Sequence, residues 1–329
     1  MTEPSRLLTW ARVLRLSLFP SAMADPIVGV FLGLSALAES APTGTESAVH
    51  LGPTVALSAA ASLCVYHGAM ALNDWADRKV DAERGRARPL VLGLLLPGAV
   101  LLMAMVLLLL GPALAHFGGL GSHAVLAIGV AALVAVIYDL AGRGPLLGPA
   151  LLGLARGSNL IFGALASGWA LGGNFAPAAC ALLYGLFVFG IGRLGRMEDG
   201  EDAAPLGRRP SRLLVALGLW LSLAPLFVAA ALHTPAAEPV EWYLAFGGVP
   251  FGLYLLGTRS WLLWSRAKAT DWTPAKVEAV MGPVLSSLVP FTVGTLLLAA
   301  PGPDAWVGAL VVLLAARLGR RLMRFIPPS

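Results

Sequence analysis

The sequence has little charge, and this shortage excludes a soluble globular protein. Asp, Glu, Lys and Arg together make up 12% of the 329 residues, whereas 57% of the residues are hydrophobic. A soluble core of this size does not need so much apolar sequence, so the composition indicates a chain that crosses a membrane several times. The net charge of +5 therefore reflects where the basic residues lie and is not a nucleic-acid-binding signature.

Cysteine is almost absent, and this excludes two further classes of protein. The two cysteines, Cys64 and Cys180, both lie inside apolar runs. Their number and placement fit neither a disulfide framework nor a thiolate metal site.

Apolar runs long enough to cross a bilayer recur along the whole chain. They lie near residues 16–38, 52–72, 90–112, 123–139, 149–170, 176–194, 213–232, 242–258, 279–300 and 304–319. The sequence therefore predicts an all-α, polytopic membrane bundle of nine or ten transmembrane helices. No low-complexity linker divides it, so we expect a single domain over residues 1–329.

Lysine and arginine are missing from every second connection between these runs. The connections without them are 39–51, 113–122, 171–175, 233–241 and 301–303. By the positive-inside rule, the other connections and both termini face the cytoplasm. The sequence thus predicts an integral protein of an inner or cytoplasmic membrane, with its charged segments on the cytoplasmic side.

The densest polar segment, residues 73–88, follows the second run and contains four acids and five bases. If the helix continues through it, Asn73, Asp77 and Asp81 share one face, and Asp74 lies beside them. Carboxylates so close together repel one another unless a cation joins them. These four residues, the first acidic cluster, therefore predict a Mg²⁺ site for a phosphorylated substrate. The alternative is a solvated cytoplasmic loop.

A second acidic segment, residues 195–202, follows the sixth run. Glu198 and Asp202 are separated by one helical turn and would present paired carboxylates toward the first acidic cluster. Two such clusters facing each other can hold two Mg²⁺ ions against a diphosphate, with Arg and Lys on the outer phosphate oxygens. Here too, charges that only stay solvated are the alternative.

These residues resemble a known family. Asn73-Asp74-x-x-Asp77-x-x-x-Asp81 is similar to the NDxxDxxxD motif of the UbiA superfamily of intramembrane prenyltransferases, which also follows the second span. Two further regions resemble the family: Arg15 and Pro20 near the first span, and Tyr138, Arg143, Pro145 and Gly148 at the end of the fourth span. A third set resembles the EboC-type branch of the superfamily and consists of Gly148, Pro149, Arg156, Asn159 and Gly163. The second acidic segment departs from the family pattern, in which aspartates at i and i+4 precede a further Asp and a Gly.

The resemblance implies Mg²⁺-dependent transfer of a polyprenyl group from an isoprenyl diphosphate to a small acceptor within the membrane. The allylic carbon–oxygen bond would ionise, and the acceptor would attack the carbocation. The implied metal ligands are Asn73, Asp74, Asp77 and Asp81 with Glu198 and Asp202, of which Asp74 and Asp77 are the central catalytic residues. The implied diphosphate ligands are Arg78, Lys79, Arg143 and Arg196, together with Asn73.

Four polar residues inside the spans are candidates for the substrate pocket. His67 lies on nearly the same helical face as Asp74 and could act as a base toward the acceptor, or make a packing hydrogen bond. Tyr66 could flank the allylic cation, or only pack. Arg156 and Asn159 form a stripe too polar to face lipid, which favours substrate or diphosphate contact over a buried structural pair.

Two rival functions remain open at this stage. Intramembrane charges such as Asp25 and Arg156, and proline-broken helices, also suit a secondary transporter, but a transporter keeps its charged site near the bilayer midplane. The irregular second acidic segment also suits a catalytically silent isoprenoid-binding homologue, which would bind diphosphate without turnover.

Overall fold

The computed structural model describes residues 5–40, 50–142, 144–171, 174–198, 206–232, 239–300 and 302–326, and within these ranges it contains helices and no strands. The helices are α1 (Arg6–Val13), a 3₁₀ turn (Leu16–Leu18), α2 (Phe19–Ser40), α3 (Leu51–Glu83), α4 (Pro97–Phe117), α5 (Ser122–Ala141), α6 (Leu147–Ala166), α7 (Ala176–Gly195), α8 (Arg209–Ala231), α9 (Pro239–Ala267), α10 (Pro274–Leu285), α11 (Leu288–Ala299) and α12 (Pro303–Leu322). The all-α prediction is confirmed.

Eight helical segments of the described chain are long and apolar enough to cross a membrane. They are α2 with its preceding 3₁₀ turn, α3 to α8, and α10 joined with α11. Helices α9 and α12 cover the two remaining apolar runs that the sequence predicts. The protein is therefore an integral membrane helical bundle, while its cytoplasmic orientation and single-domain organisation stay predictions.

Helix α2 lies at the centre of the bundle and packs against α3, α6, α7, α11 and α12. Glycines permit its close approach to α6: a Cβ at Gly29 would collide with the α6 backbone, and one at Gly163 with the backbone of Pro26. Without a hydrophobic driving force between helices in lipid, small residues of this kind allow the backbone packing that holds spans together.

A proline inside α2 creates a need for a side-chain donor. Pro26 has no N–H, so the carbonyl of Ala22, one turn earlier, lacks its helical hydrogen bond. Ser62 of α3 donates to that carbonyl at 2.8 Å, and Asn159 of α6 donates to it at 3.2 Å. Neighbouring helices thus satisfy a backbone group that lipid cannot.

Helix α3 is longer than a bilayer requires. Its 33 residues span about 50 Å at the rise of an α-helix, against a hydrocarbon core of about 30 Å. It continues through the first acidic cluster, as the sequence predicts, and ends at Arg84 before Gly85, which adopts φ +65°. The acidic face is therefore carried on a rigid helix that extends beyond the apolar part of the bundle.

The third span begins later than the sequence predicts. Residues 90–96, expected to open a span, form turns, and α4 begins at Pro97. Gly93 adopts φ +69°, which a helix does not tolerate, and Pro97 supplies a favourable first helical residue. The segment from Arg86 to Leu96 is thus free to fold back against the end of α3.

Candidate active site

The first acidic cluster lies on the last three turns of α3, at what we term the acidic end of the bundle. Asp74 and Asp81 are buried, with 2% and 1% of their surface exposed, and Asp77 is half-buried. Buried carboxylates require charged or hydrogen-bonding partners. The partners come from three different segments of the chain.

Two arginines bond to Asp74. Arg15 Nη2 lies 3.2 Å from Asp74 Oδ1 and 3.4 Å from Asn73 Oδ1, and Arg88 Nη1 lies 2.5 Å from the same Asp74 oxygen. Arg15 adopts a left-handed backbone conformation, with φ 49°, at the break between α1 and the 3₁₀ turn. A non-glycine residue held in this conformation is strained, and such strain is found preferentially at functional sites.

Arg88 joins the two buried carboxylates of the cluster. Its Nε lies 3.1 Å from Asp81 Oδ2, so one guanidinium bridges Asp74 and Asp81. Arg86 adds an ion pair to Asp81 at 3.3 Å. An arginine thus offsets part of the repulsion between these carboxylates, and the Mg²⁺ that the sequence predicts here stays a prediction.

Helix α5 contributes a further carboxylate. Asn73 Nδ2 donates to Asp139 Oδ1 at 3.1 Å, and Asp139 is 4% exposed. The neighbouring Tyr138 lies near enough to Asp77, Arg15 and Arg196 to interact electrostatically with all three. The end of α5 therefore lies beside the first acidic cluster and close to Arg196 at the start of the second acidic segment.

Two of the predicted diphosphate ligands, Arg78 and Lys79, lie on α3, and their binding of diphosphate stays a prediction. Arg78 donates to the carbonyl of Trp75 at 2.6 Å, and its guanidinium lies 4.4 Å from the centre of the Trp75 ring. Lys79 is exposed. Arg15 and Arg88 are two bases that contact Asp74. The family resemblance singles out Arg15, whereas no spacing in the sequence singles out Arg88.

The second acidic segment is described only in part. Arg196 caps α7, with Nη2 3.5 Å from the carbonyl of Gly142, and Glu198 is exposed directly after it. Asp202 and Arg143 lie outside the described residues. Metal binding by Glu198 and Asp202, and diphosphate binding by Arg143 and Arg196, therefore stay predictions.

The donor set of the first acidic cluster suits a magnesium ion that shares its coordination with phosphate. Across the described ranges, no three His, Cys, Asp or Glu side chains are grouped closely enough to hold a metal ion by themselves. Mg²⁺ does not require such a group, because it binds through one or two carboxylates and completes its shell with substrate phosphates and water. Hard oxygen donors on one helical face are the ligands it prefers.

A second polar region, the intramembrane cluster, lies deeper in the bundle. It consists of Asp25 on α2, Ser62 on α3, Arg156 and Asn159 on α6, and Tyr184 on α7. Arg156 Nε lies 3.1 Å from Asp25 Oδ2, and Tyr184 donates to Asp25 Oδ1 at 2.9 Å. Asn159 donates to Asp25 at 3.3 Å and to Ser62 at 2.8 Å.

The intramembrane cluster shows that the Arg156–Asn159 stripe faces protein and not lipid. Asp25, 0% exposed, neutralises Arg156 within the bundle. The buried structural pairing, which the sequence analysis ranks second, is therefore the arrangement observed. Contact of Arg156 or Asn159 with substrate stays a prediction.

Tyr66 and His67 lie on the part of α3 between the two polar regions. Tyr66 lies close enough to both Arg15 and Arg156 to interact with them electrostatically. His67 Nδ1 is 2.7 Å from the carbonyl of Leu14, which is the packing hydrogen bond named above as the alternative. Because Nδ1 must carry the proton to donate to a carbonyl, Nε2 is left as a proton acceptor. The catalytic roles of both residues stay predictions.

The fold and the acidic end define a class of protein: an integral membrane helical bundle with a cluster of paired arginines and carboxylates at one end. The model of the UbiA prenyltransferase family matches residues 27–280. A digeranylgeranylglyceryl phosphate synthase of Methanopyrus kandleri is 30% identical over 235 residues, which cover 70% of this chain and 82% of that protein. The corresponding synthase of Halobacterium salinarum is 28% identical over 228 residues, covering 69% and 75%.

A solved structure supports the same fold. The UbiA homologue of Archaeoglobus fulgidus bound to DMAPP and Mg²⁺ aligns with a TM-score of 0.55 over 92% of this chain and 99% of that one, at 15% identity. The chain belongs to the UbiA prenyltransferase family, and it is a membrane prenyltransferase. Its placement in the EboC-type branch stays a prediction.

Proposed function

We propose that this prenyltransferase moves an isoprenyl group from an isoprenyl diphosphate to a small acceptor at the acidic end of the bundle, with the help of Mg²⁺. The observation that carries this proposal is the convergence of Arg15 and Arg88 on Asp74, beside Asn73. Arginine and carboxylate groups side by side can hold a diphosphate and its metal together. The DMAPP and Mg²⁺ bound by the Archaeoglobus fulgidus homologue support the same substrate class.

The residues that would hold Mg²⁺ are Asn73, Asp74, Asp77 and Asp81, and the bound ion would stabilise negative charge on the leaving diphosphate. In the present arrangement, Arg88 bonds to Asp74 and Asp81. When a diphosphate binds, we expect the guanidinium groups of Arg15 and Arg88 to turn from carboxylate oxygens to phosphate oxygens. One N–H of Arg15, on Nε, is buried and has no hydrogen-bond acceptor among the described residues, so we expect it to contribute to this contact.

The chemical step is then an ionisation followed by capture. The allylic carbon–oxygen bond breaks, and both electrons leave with the diphosphate, where Arg15 and Arg88 stabilise the developing charge. The acceptor's nucleophile forms the new bond to carbon and loses its proton. His67 Nε2 is the candidate base for that proton, and the ring of Tyr66 is the candidate to flank the cation.

Water must be kept from the cation, because hydrolysis would compete with transfer. The apolar helices behind the first acidic cluster supply this exclusion and a place for the isoprenyl tail. Two relatives are digeranylgeranylglyceryl phosphate synthases. We therefore test geranylgeranylglyceryl phosphate as the first acceptor.

The experiment is pyrophosphate release by the purified chain in nanodiscs, with farnesyl or geranylgeranyl diphosphate, with and without Mg²⁺ and acceptor. Asp77→Ala tests the site, and Asp304→Ala, an exposed acid at the start of α12, is the matched control. We expect Mg²⁺-dependent release that Asp77→Ala lowers at least about 100-fold and Asp304→Ala leaves intact. An active, Mg²⁺-dependent Asp77→Ala enzyme would contradict the site assignment.

Binding measurements separate the rival functions. Prenyl diphosphate that binds without release under every condition would identify a catalytically silent homologue. A chain that neither binds nor cleaves prenyl diphosphates, while remaining folded, would overturn the proposal. The transporter alternative gains no support from the intramembrane cluster, because Asp25 and Arg156 already neutralise each other.

A further inference from the structure

A groove separate from the first acidic cluster runs between α7 and α8. Its volume is about 530 Å³. Its lining residues are Leu186, Phe187, Phe189, Gly190, Arg193, Met197, Arg209, Arg212, Leu213, Ala216, Leu217 and Trp220. Among the described residues, its lining is apolar apart from three arginines and contains no acid.

The lining changes in character along the groove. Arg193 lies in the last turn of α7, whereas Arg209 and Arg212 lie in the first turn of α8, so all three arginines share the acidic end of the bundle. Leu186 and Trp220 lie about 10 Å further into the membrane, at the rise of an α-helix. The groove thus has a basic mouth at the membrane interface and an apolar body below it.

The arginines at the mouth have unused hydrogen-bonding capacity. Arg193 donates one N–H to the carbonyl of Pro145 at 2.5 Å. Arg209 and Arg212 are exposed, and none of the three forms an ion pair with another described residue. The amino end of α8, with its positive end of the helix dipole, adds to the positive potential at the same place.

The body of the groove is shaped by a close contact. A Cβ on Gly190 would collide with the side chain of Leu217 at 2.8 Å. Glycine at this position therefore lets α7 and α8 pack closely at the bottom of the groove. Leu186, which is 46% exposed, lines one side of the groove. A hydrocarbon chain lying in this groove would contact both helices.

A second cavity offers a contrast. It has a similar volume, about 550 Å³, and lies at the opposite end of the bundle, with His50, His123 and Trp169 in its lining. Among the described residues its lining contains no Lys or Arg and so offers no positive charge to an anion. The basic mouth is therefore particular to the groove between α7 and α8.

We propose that the groove between α7 and α8 binds one anionic membrane phospholipid, with its phosphate between Arg193, Arg209 and Arg212 and one acyl chain against Trp220. Charge complementarity selects an anionic headgroup, because basic pockets between membrane helices bind such lipids. The apolar body selects a lipid over a free phosphate ion. The bound lipid lies against Met197, the residue before Glu198 of the second acidic segment.

Fluorescence quenching by lipids brominated on their chains tests this proposal without measuring enzyme activity. In one sample, the chain is reconstituted in phosphatidylcholine that contains a minor fraction of brominated phosphatidylglycerol. In the converse sample, the host lipid is phosphatidylglycerol and the minor, brominated lipid is phosphatidylcholine. Because the chain has 9 tryptophans, Trp220→Phe defines the share of the signal that belongs to Trp220. We expect brominated phosphatidylglycerol to quench that share more strongly.

Two variants change the groove in different ways. Arg209→Gln with Arg212→Gln removes charge from the mouth and lowers the preference for phosphatidylglycerol roughly tenfold. Ala216→Phe fills the body without changing charge and removes quenching by either lipid. Arg321→Gln with Arg324→Gln removes the same charge from exposed positions at the end of α12, and this control keeps the wild-type preference.

Three outcomes would overturn the proposal. The first is equal quenching by both lipids in the wild-type chain. The second is an unchanged preference in Arg209→Gln with Arg212→Gln, provided that this variant keeps the wild-type melting temperature. The third is relief of quenching by added geranylgeranyl diphosphate, which would make the enzyme's substrate the occupant.

Discussion

Two polar regions of this molecule solve the same problem of buried charge in opposite ways. The first acidic cluster bonds to arginines that come from chain segments outside regular helices, Arg15 at a helix break and Arg88 in a turn. The intramembrane cluster draws its partners, Asp25, Arg156 and Tyr184, only from helix interiors.

The two regions differ in whether their charged side chains can change bonding partners. Arg15 and Arg88 keep 18% and 17% of their side chains exposed, against 12% for Arg156. Because Arg15 and Arg88 also lie outside regular helices, we expect that both can exchange a carboxylate for a phosphate without a change in the helices. Asp25 has no exposed surface, and its partner Arg156 is held by three acceptors, including the Ser21 carbonyl at 2.8 Å. Exchange is what a substrate site requires, and fixation is what a helix-packing contact requires.

The largest expected effect comes from breaking the intramembrane pair. Arg156→Met leaves Asp25 buried without its counter-charge, so we expect a loss of about 3–5 kcal/mol in stability. Thermal unfolding in detergent measures it. The double variant with Asp25→Asn should recover part of the loss, because it removes the unpaired charge. If the Arg156→Met protein keeps the wild-type stability and loses only its activity, Arg156 would instead be a substrate ligand.

The next effect sharpens the functional half of the comparison. Arg88→Gln removes a guanidinium from the proposed diphosphate site, so the KM for prenyl diphosphate should rise roughly 10- to 100-fold, from the loss of charge-assisted hydrogen bonds. Steady-state kinetics with varied prenyl diphosphate measure it, with melting temperature as the fold control. Lys79→Gln, which removes an exposed base of the same helix end, should leave the KM within about threefold. A larger rise in KM for Lys79→Gln than for Arg88→Gln would support Lys79, which the sequence predicts, as the diphosphate ligand.

The smallest expected effect probes how α2 is held. Ser62→Ala removes the donor to the Ala22 carbonyl and an acceptor of Asn159, and we expect a loss of about 1 kcal/mol, typical of interhelical hydrogen bonds in membranes. Ser58→Ala is the matched control, because Ser58 is buried one turn earlier on α3 and its hydroxyl has no hydrogen-bond partner. Equal destabilisation by both substitutions would mean that the hydrogen bonds around Pro26 add nothing to packing.

Local patterns predict a large part of this structure. Hydropathy and the alternation of basic connections predict the all-α membrane bundle, since a bilayer imposes the length and charge of every span. The helical period predicts that Asn73, Asp77 and Asp81 share a face, and α3 carries them so. Hydropathy alone places the start of the third span too early, because Gly93 adopts a non-helical conformation within the apolar run and α4 begins only at Pro97.

The partners of these residues depend on contacts between distant segments. Arg88 reaches Asp74 and Asp81 because the turn after α3 folds back, and no periodicity relates a turn to a helix face. Arg78 and Lys79 are nearer in sequence, yet their positions on α3 direct one against Trp75 and leave the other exposed. Proximity in sequence therefore does not predict which base forms an ion pair with a given carboxylate.

The sequence alone predicts the all-α membrane bundle and the acidic face on α3, because both follow from interactions within one helix and with its solvent. It predicts nine or ten spans, whereas eight helical segments of the described chain are long and apolar enough to cross a membrane. The pairing of Asp25 with Arg156 and Tyr184, and the groove between α7 and α8, arise only when the helices pack. Glycines at the crossings set how closely backbones approach, and that approach decides which buried charges meet.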